Sequence, residues 1–220
     1  MTGINIPHSW DLTPDEAIEL QTTLAAAIDT TTPIDLDNLK LVAGVDVSVI
    51  NNISRAAVVV MRFPELEQIE AATAEMPTPF PYIPGLLSFR EAPVILAAHA
   101  KLKNKPDAYI FDGMGIMHPR RIGIASHMGL WLDMPTVGCG KTRLLGRYEE
   151  PGIDKGSYSA LMYRREQLGV VLRTRMNVKP VFISVGHKAT LDSAIELVMR
   201  CTTRYRLPEP IRAAHNTAGQ

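Results

Sequence analysis

"LKLVAGVDVSVINNISRAAVVVMRF", residues 39–63, decides the architecture of this chain. Two runs rich in β-branched residues flank the turn-forming "NNIS", and that pattern predicts a β-hairpin. "ELEQIEAATAEM", residues 65–76, comes next and stands ahead of a proline cluster, which places a third antiparallel strand there. Inside the first run, Asp46 occupies a position where valine would be the natural resident of a strand. A carboxylate in such a place calls for a role other than folding.

Upstream, residues 13–29 read as a helix, with Thr13 as N-cap, Pro14 at the first helical position and acids in the first turn. Downstream, helices are predicted at 93–102, 122–133 and 190–203, the last capped by Thr190. Strands are predicted at 108–113, 136–141, 166–175 and 179–186. A helix, three strands and then alternating helices and strands argue for one mixed α/β sheet. Neither an internal repeat nor a low-complexity linker divides the chain, so residues 1–220 are expected to form a single domain. Residues 1–39 would be a helical N-terminal extension, and 40–216 the core. The tail 215–220 is expected to fray, His215 excepted.

With 46% hydrophobic and 21% charged residues, the composition is that of an ordinary globular protein. Cys139 and Cys201 are too few for a disulfide framework and lack metal-ligand spacing. The first ten residues have no basic or apolar region of a signal peptide, and no apolar run would span a bilayer. A cytoplasmic protein with no membrane association is expected. The net charge of zero hides a split: residues 1–112 carry 7 Lys and Arg against 15 Asp and Glu, leaving 16 against 8 in residues 113–220. That asymmetry suits a polyanion gripped by one part and worked on by metal-binding acids in the other.

Three acids stand out. Asp112 ends the strand "AYIFDG"; if that strand runs parallel beside the first, Asp46 and Asp112 emerge from neighbouring carboxyl ends. Glu91 lies near a helix start, where Ser88-x-x-Glu91 also fits a capping box. Pro93 opposes the simple form of that box, so the helix is either kinked there or begins nearer Ala92. Clustered carboxylates repel unless a cation neutralises them, and a hard ion such as Mg²⁺ suits such a set. Ahead of Glu91, Tyr82 is held between prolines in "PFPYIPG", a stiff segment unable to join a central strand. Gly113 and Gly115 would let backbone approach a ligand closely, while His118, Arg120, Arg121 and Lys141 supply donors for phosphate. Arg143 and Arg147 add further cations for backbone phosphates.

These segments resemble the endonuclease V family, deoxyinosine-specific nucleases with a ribonuclease H-like fold. The resemblance runs through "AGVDVS", "PYIPGLLSFRE", "FDGMGIMHPRRIGIASHMG", "PTVGCGK", "ISVGH" and "YRLPEPIRAAH", in family order over about residues 40–216. It implies a central mixed sheet, three antiparallel strands and then parallel ones, flanked by helices. By position, the family's acidic triad falls on Asp46, Glu91 and Asp112, which would bind Mg²⁺, with Mn²⁺ as a substitute. The family's catalytic lysine and histidine fall on Lys141 and His215. Pro81, Tyr82, Ile83 and Pro84 match its DNA wedge, and Gly85, Leu87, Gly113, Gly115 and Gly138 match its lesion pocket.

The implied activity is Mg²⁺-dependent repair of DNA, single- or double-stranded, containing deoxyinosine. The second phosphodiester bond 3′ to the lesion would be hydrolysed by a monomeric enzyme, leaving a 3′-hydroxyl and a 5′-phosphate. The alternatives are an inosine-specific endoribonuclease, with inosine-containing RNA as partner, and a non-catalytic lesion-binding protein. Two positions depart from the family pattern. Met114 stands where many relatives have a polar residue, often His, and Gly140 where many have Ala.

Overall fold

The two runs pair as the sequence predicts. β1 (Leu41–Ile50) and β2 (Ile53–Arg62) are antiparallel, and both turn residues, Asn51 and Asn52, hold positive φ of 50° and 61°. Two successive left-handed residues make the tight hairpin turn whose twist matches the strands, and asparagine tolerates that conformation better than most residues. β3 (Gln68–Pro77) extends the meander antiparallel to β2. The structure, a computed structural model, describes residues 7–219. Most of the N-terminal stretch read as lacking a signal peptide lies outside them.

β4 (Ala108–Phe111) lies parallel beside β1, with Val45 level with Phe111, and β5 (Thr136–Gly140) lies parallel beside β4. Beyond them the sheet returns to antiparallel pairing through β8 (Val181–His187), β7 (Glu166–Leu172) and β6 (Tyr158–Tyr163). The order across the eight strands is β3-β2-β1-β4-β5-β8-β7-β6.

The alternation of β1 assigns its two faces. Ala43 and Val45 enter one apolar cluster with Ala92, Ile95, Ala125 and Met128, from α2 (Leu87–His99) and α3 (Ile124–Leu132). Val42 joins the opposite cluster with Leu197, Ile211 and Ala214, from α4 (Leu191–Arg200) and α5 (Glu209–Ala218). α5 runs along the even-numbered residues of β1. A Cβ on Gly44 would lie 2.0 Å from the Pro210 carbonyl oxygen, Asp46 meets His215, and the Ser48 hydroxyl donates to the Ala218 carbonyl at 2.6 Å. Only glycine lets helix and strand approach this closely.

α1 (Pro14–Leu24) forms with the expected Thr13–Glu16 capping box, and a short 3₁₀ turn, Ala25–Ala27, continues it. Two expectations are corrected. The tail after His215 does not fray: α5 is helical through Ala218, held by the buried Ile211, Ala214 and Ala218. Nor does Ser88 cap α2, which starts at Leu87 behind Leu86, so Pro93 lies inside the helix without breaking it. Among the described residues no helix is long and apolar enough to cross a membrane.

Candidate active site

The parallel register of β1 and β4 carries two carboxylates to one place. Asp46 follows Val45, Asp112 follows Phe111, and the Asp112 amide donates to the Val45 carbonyl at 3.1 Å. α5 adds His215, so that one ligand atom from each of Asp46, Asp112 and His215 lies within 4.8 Å of the others. The His215 Nδ1 is 2.6 Å from the Asp46 Oδ2, and the Lys141 ammonium, at the end of β5, pairs with Asp112.

Glu91, on α2, stands outside this trio but within its field. Burial first, then the Asp46 charge, pushes its carboxyl up to about 8. Burial likewise raises Asp112, against the opposing hydrogen bond and charge of Lys141. Acids held this far from their ordinary ionisation form a set short of positive charge. Two carboxylates, an imidazole and a nearby third carboxylate fit Mg²⁺ or Mn²⁺, the latter accepting the nitrogen more readily.

Beside the cluster, the proline segment forms a rigid shelf. Arg90 donates to the Phe80 carbonyl at 2.8 Å, the Leu86 amide donates to the Ile83 carbonyl at 2.9 Å, and Tyr82 projects with 71% of its surface exposed. Gly85 turns the chain at φ 84°, a left-handed conformation that other residues avoid. Its carbonyl accepts three hydrogen bonds: from Gln21 Nε2 at 3.0 Å, Arg120 Nη2 at 2.8 Å and His118 Nε2 at 3.0 Å. His118 Nδ1 accepts from the Arg120 amide, which fixes the ring proton on Nε2. Burial, with Arg120 nearby, lowers its pKa to about 4, so the ring stays neutral. Arg121 turns away to pair with Glu166 at 2.6 Å. The structure therefore places His118 and Arg120 beneath the shelf as its anchors, away from the carboxylates. Arg143 and Arg147 are exposed.

A cavity of about 330 Å³ opens between the shelf, the N-terminus of α2 and the "DGMG" loop. Gly85, Leu87 and Gly113, from the expected lesion-pocket set, line it together with Tyr82, Ile83 and Pro84, from the segment expected to act as the wedge. Gly115 and Gly138 lie behind it instead. A Cβ on Gly115 would meet the Val185 carbonyl oxygen at 1.9 Å, and one on Gly138 the Gly115 nitrogen at 2.4 Å, so these glycines seat the loop on β5 and β8.

Gln21, Gly123, Ile124, Thr142 and Leu144 line the cavity without having been singled out from sequence, and so does Ser88, read there only as a helix cap. Gln21 had a signal: it is a lone polar residue on the stripe Ala17–Gln21–Leu24 that α1 buries. The two departures from the family pattern also meet. A methyl group on Gly140 would lie 2.3 Å from the Met114 Cε, so the bulk gained at one position occupies space left free at the other.

The family model described as endonuclease V matches residues 22–216. The endonuclease V of Trichormus variabilis is 50% identical over 218 residues, covering 96% of each chain. Among solved structures, the endonuclease V of Streptomyces avermitilis superposes with a TM-score of 0.92 at 39% identity, over 99% of this chain and 96% of the other. The endonuclease V of Ciona intestinalis, in complex with a 23-mer DNA containing an inosine followed by a ribo-adenosine, gives 0.80 at 29% identity, over 94% and 97%.

Proposed function

From a chain that belongs to the endonuclease V family, we propose a Mg²⁺-dependent cytoplasmic endonuclease, acting as a monomer on deoxyinosine in DNA. It would cut the second phosphodiester bond 3′ to the lesion, leaving a 3′-hydroxyl and a 5′-phosphate. One observation carries this reading. Three chain segments each line the cavity and carry a near neighbour into the charged cluster: Ser88 and Glu91, Gly113 and Asp112, Thr142 and Lys141. A base seated in the cavity therefore brings its own strand past the carboxylates.

Tyr82, stiffened by Pro81 and Pro84, would fill the gap left in the stack. Extruding a base costs a few kcal/mol, less for a weakly paired one such as hypoxanthine. The first amides of α2, at Leu87 and Ser88, have no partner within the helix and suit the hypoxanthine carbonyl. They oppose the amino group of adenine.

Asp46, Asp112 and His215 would hold a divalent ion, with Glu91 close enough to hold it directly or through water. When bound, such an ion activates water and stabilises charge on the phosphoryl oxygens. His215 keeps the Asp46 carboxylate oriented, and Lys141 places its ammonium beside Asp112, where the scissile phosphate would gain negative charge. Exposed Arg143 and Arg147 would grip flanking phosphates.

The test is nicking of a duplex with one deoxyinosine, with and without Mg²⁺ and with product ends mapped, beside a matched inosine-containing RNA. Faster cutting of the RNA would move the enzyme to the ribonuclease reading. Tight binding without any cutting would make it a lesion-binding protein. An Asp46→Ala protein cutting at the wild-type rate would remove the assigned metal site.

A further inference from the structure

A line of side chains leads from the cavity wall to the protein surface and uses no group of the charged cluster. Ser88, at the wall, has its Oγ 2.9 Å from Nδ1 of the buried His127. His127 Nε2 is 2.8 Å from His8 Nε2, and His8 Nδ1 is 2.7 Å from the Ser9 carbonyl oxygen. Trp10, Phe89 and Trp131 enclose the two imidazoles, with His8 ring centroids 4.5 Å from Trp10 and 4.9 Å from Trp131.

The chemistry of each partner fixes where the protons sit. A backbone carbonyl only accepts, so His8 Nδ1 carries a proton. Burial lowers the pKa of both rings, His127 to about 3, so both are neutral and each carries one proton. His8 Nε2 is therefore bare and accepts, which makes His127 Nε2 the donor. His127 Nδ1 is then bare in turn, and the Ser88 hydroxyl donates to it. Each assignment forces the next, from the Ser9 carbonyl to the cavity.

We infer that the Ser9–His8–His127–Ser88 chain fixes Ser88 as a hydrogen-bond acceptor at the cavity wall, selecting bases that carry an N–H where adenine has a bare N1. With its proton committed to His127, the hydroxyl can turn only lone pairs toward a ligand. Hypoxanthine is protonated at N1 and adenine is not. An oxygen there favours the first and faces the second lone pair to lone pair. This polarity complements the amides of α2, which read the 6-position of the ring. The inference rests on the proposed inosine reading of the cavity. Ser88 acts on base choice; His127 and His8 are positioning residues, His127 acting through Ser88 and His8 through His127.

Two measurements test it. Nitrogen-15 NMR of the histidine rings in the wild-type protein should show His127 protonated at Nε2 and bare at Nδ1. A proton on Nδ1 overturns the chain. In cleavage assays, kcat/KM for deoxyinosine is compared with that for deoxynebularine, a purine with a bare N1 and nothing at the 6-position. Ser88→Ala should lower the ratio about tenfold, with deoxyinosine cleavage falling and deoxynebularine cleavage unchanged or raised. His8→Phe keeps an aromatic ring beside Trp10 and Trp131 but removes the acceptor. It should lower the same ratio several-fold while the His127 proton moves toward Nδ1. An unchanged ratio in both variants, or equal losses on both bases, overturns the proposal. Absence of any inosine-dependent cleavage by the wild-type protein would instead remove the functional reading, and the nitrogen spectra would still decide the proton chain.

Discussion

The charged cluster and the cavity beside it are built on opposite terms. At the cluster, strand register forces Asp46 and Asp112 together, and their neighbours compensate the charge only in part: Glu91 and Asp112 are both pushed toward protonation. At the cavity, three donors converge on the Gly85 carbonyl beneath the shelf, and the histidines are neutral. One region stores electrostatic strain for an ion to relieve; the other is finished before any ligand arrives. Cleavage and recognition should therefore separate under mutation.

The sharpest break is at Asp46. Asp46→Asn should lower cleavage by about 10³-fold or more. Binding of an inosine-containing strand, measured by anisotropy, should change only a few-fold. Comparable losses in both would deny the separation.

Glu91 tests the stored strain without any substrate. In metal-free protein its carboxyl ionises near pH 4.5 when unfolded and near about 8 when folded. The protonated form is thus the one the fold favours. That advantage is complete below pH 4.5 and is lost as the pH rises through about 8. Glu91→Gln should then gain stability over wild type across that window, by up to about 1.4 kcal/mol per pH unit. Denaturant melts across the range measure it. Mg²⁺ should flatten the difference by favouring the charged carboxylate, and a pH-independent difference would contradict the strain.

Tyr82→Ala should leave the maximal cutting rate nearly intact and lower the preference for inosine over undamaged DNA by about tenfold, read from competition assays. The smallest effect is expected at the anchor. Gln21→Ala removes one of three donors to Gly85 and should reduce that preference only two- to threefold, at about 1 kcal/mol of stability. A larger loss than at Tyr82 would mean that shelf position, rather than the aromatic ring, sets the preference.

What the sequence made legible follows from where its signals are strong. The hairpin and the strand-end carboxylates stood out because a period-two apolar run makes an interrupting acid conspicuous, as at Asp46. β6 escaped because it is an edge strand with only Leu161 buried, leaving almost no apolar alternation to read. α5 escaped because its buried stripe is short and alanine-rich, and two prolines, Pro208 and Pro210, crowd its start. The backing roles of Gly115 and Gly138 depend on contacts with Val185 and with the loop itself, and no local pattern records those. The link from His8 to His127 spans 119 residues and joins types that are individually unremarkable.

The close seat of α5 on Gly44 has a consequence for how the protein becomes competent. Strands β1 and β4 bring their acids together without the C-terminal helix, yet the imidazole arrives only once residues 209–218 have docked. A ribosome-bound or clipped chain ending before Pro208 would carry the acids but not the histidine. The fold thereby keeps Asp46, Asp112 and His215 from meeting until α5 is in place, a dependence that graded truncations within residues 209–218 and calorimetric Mn²⁺ titrations would expose.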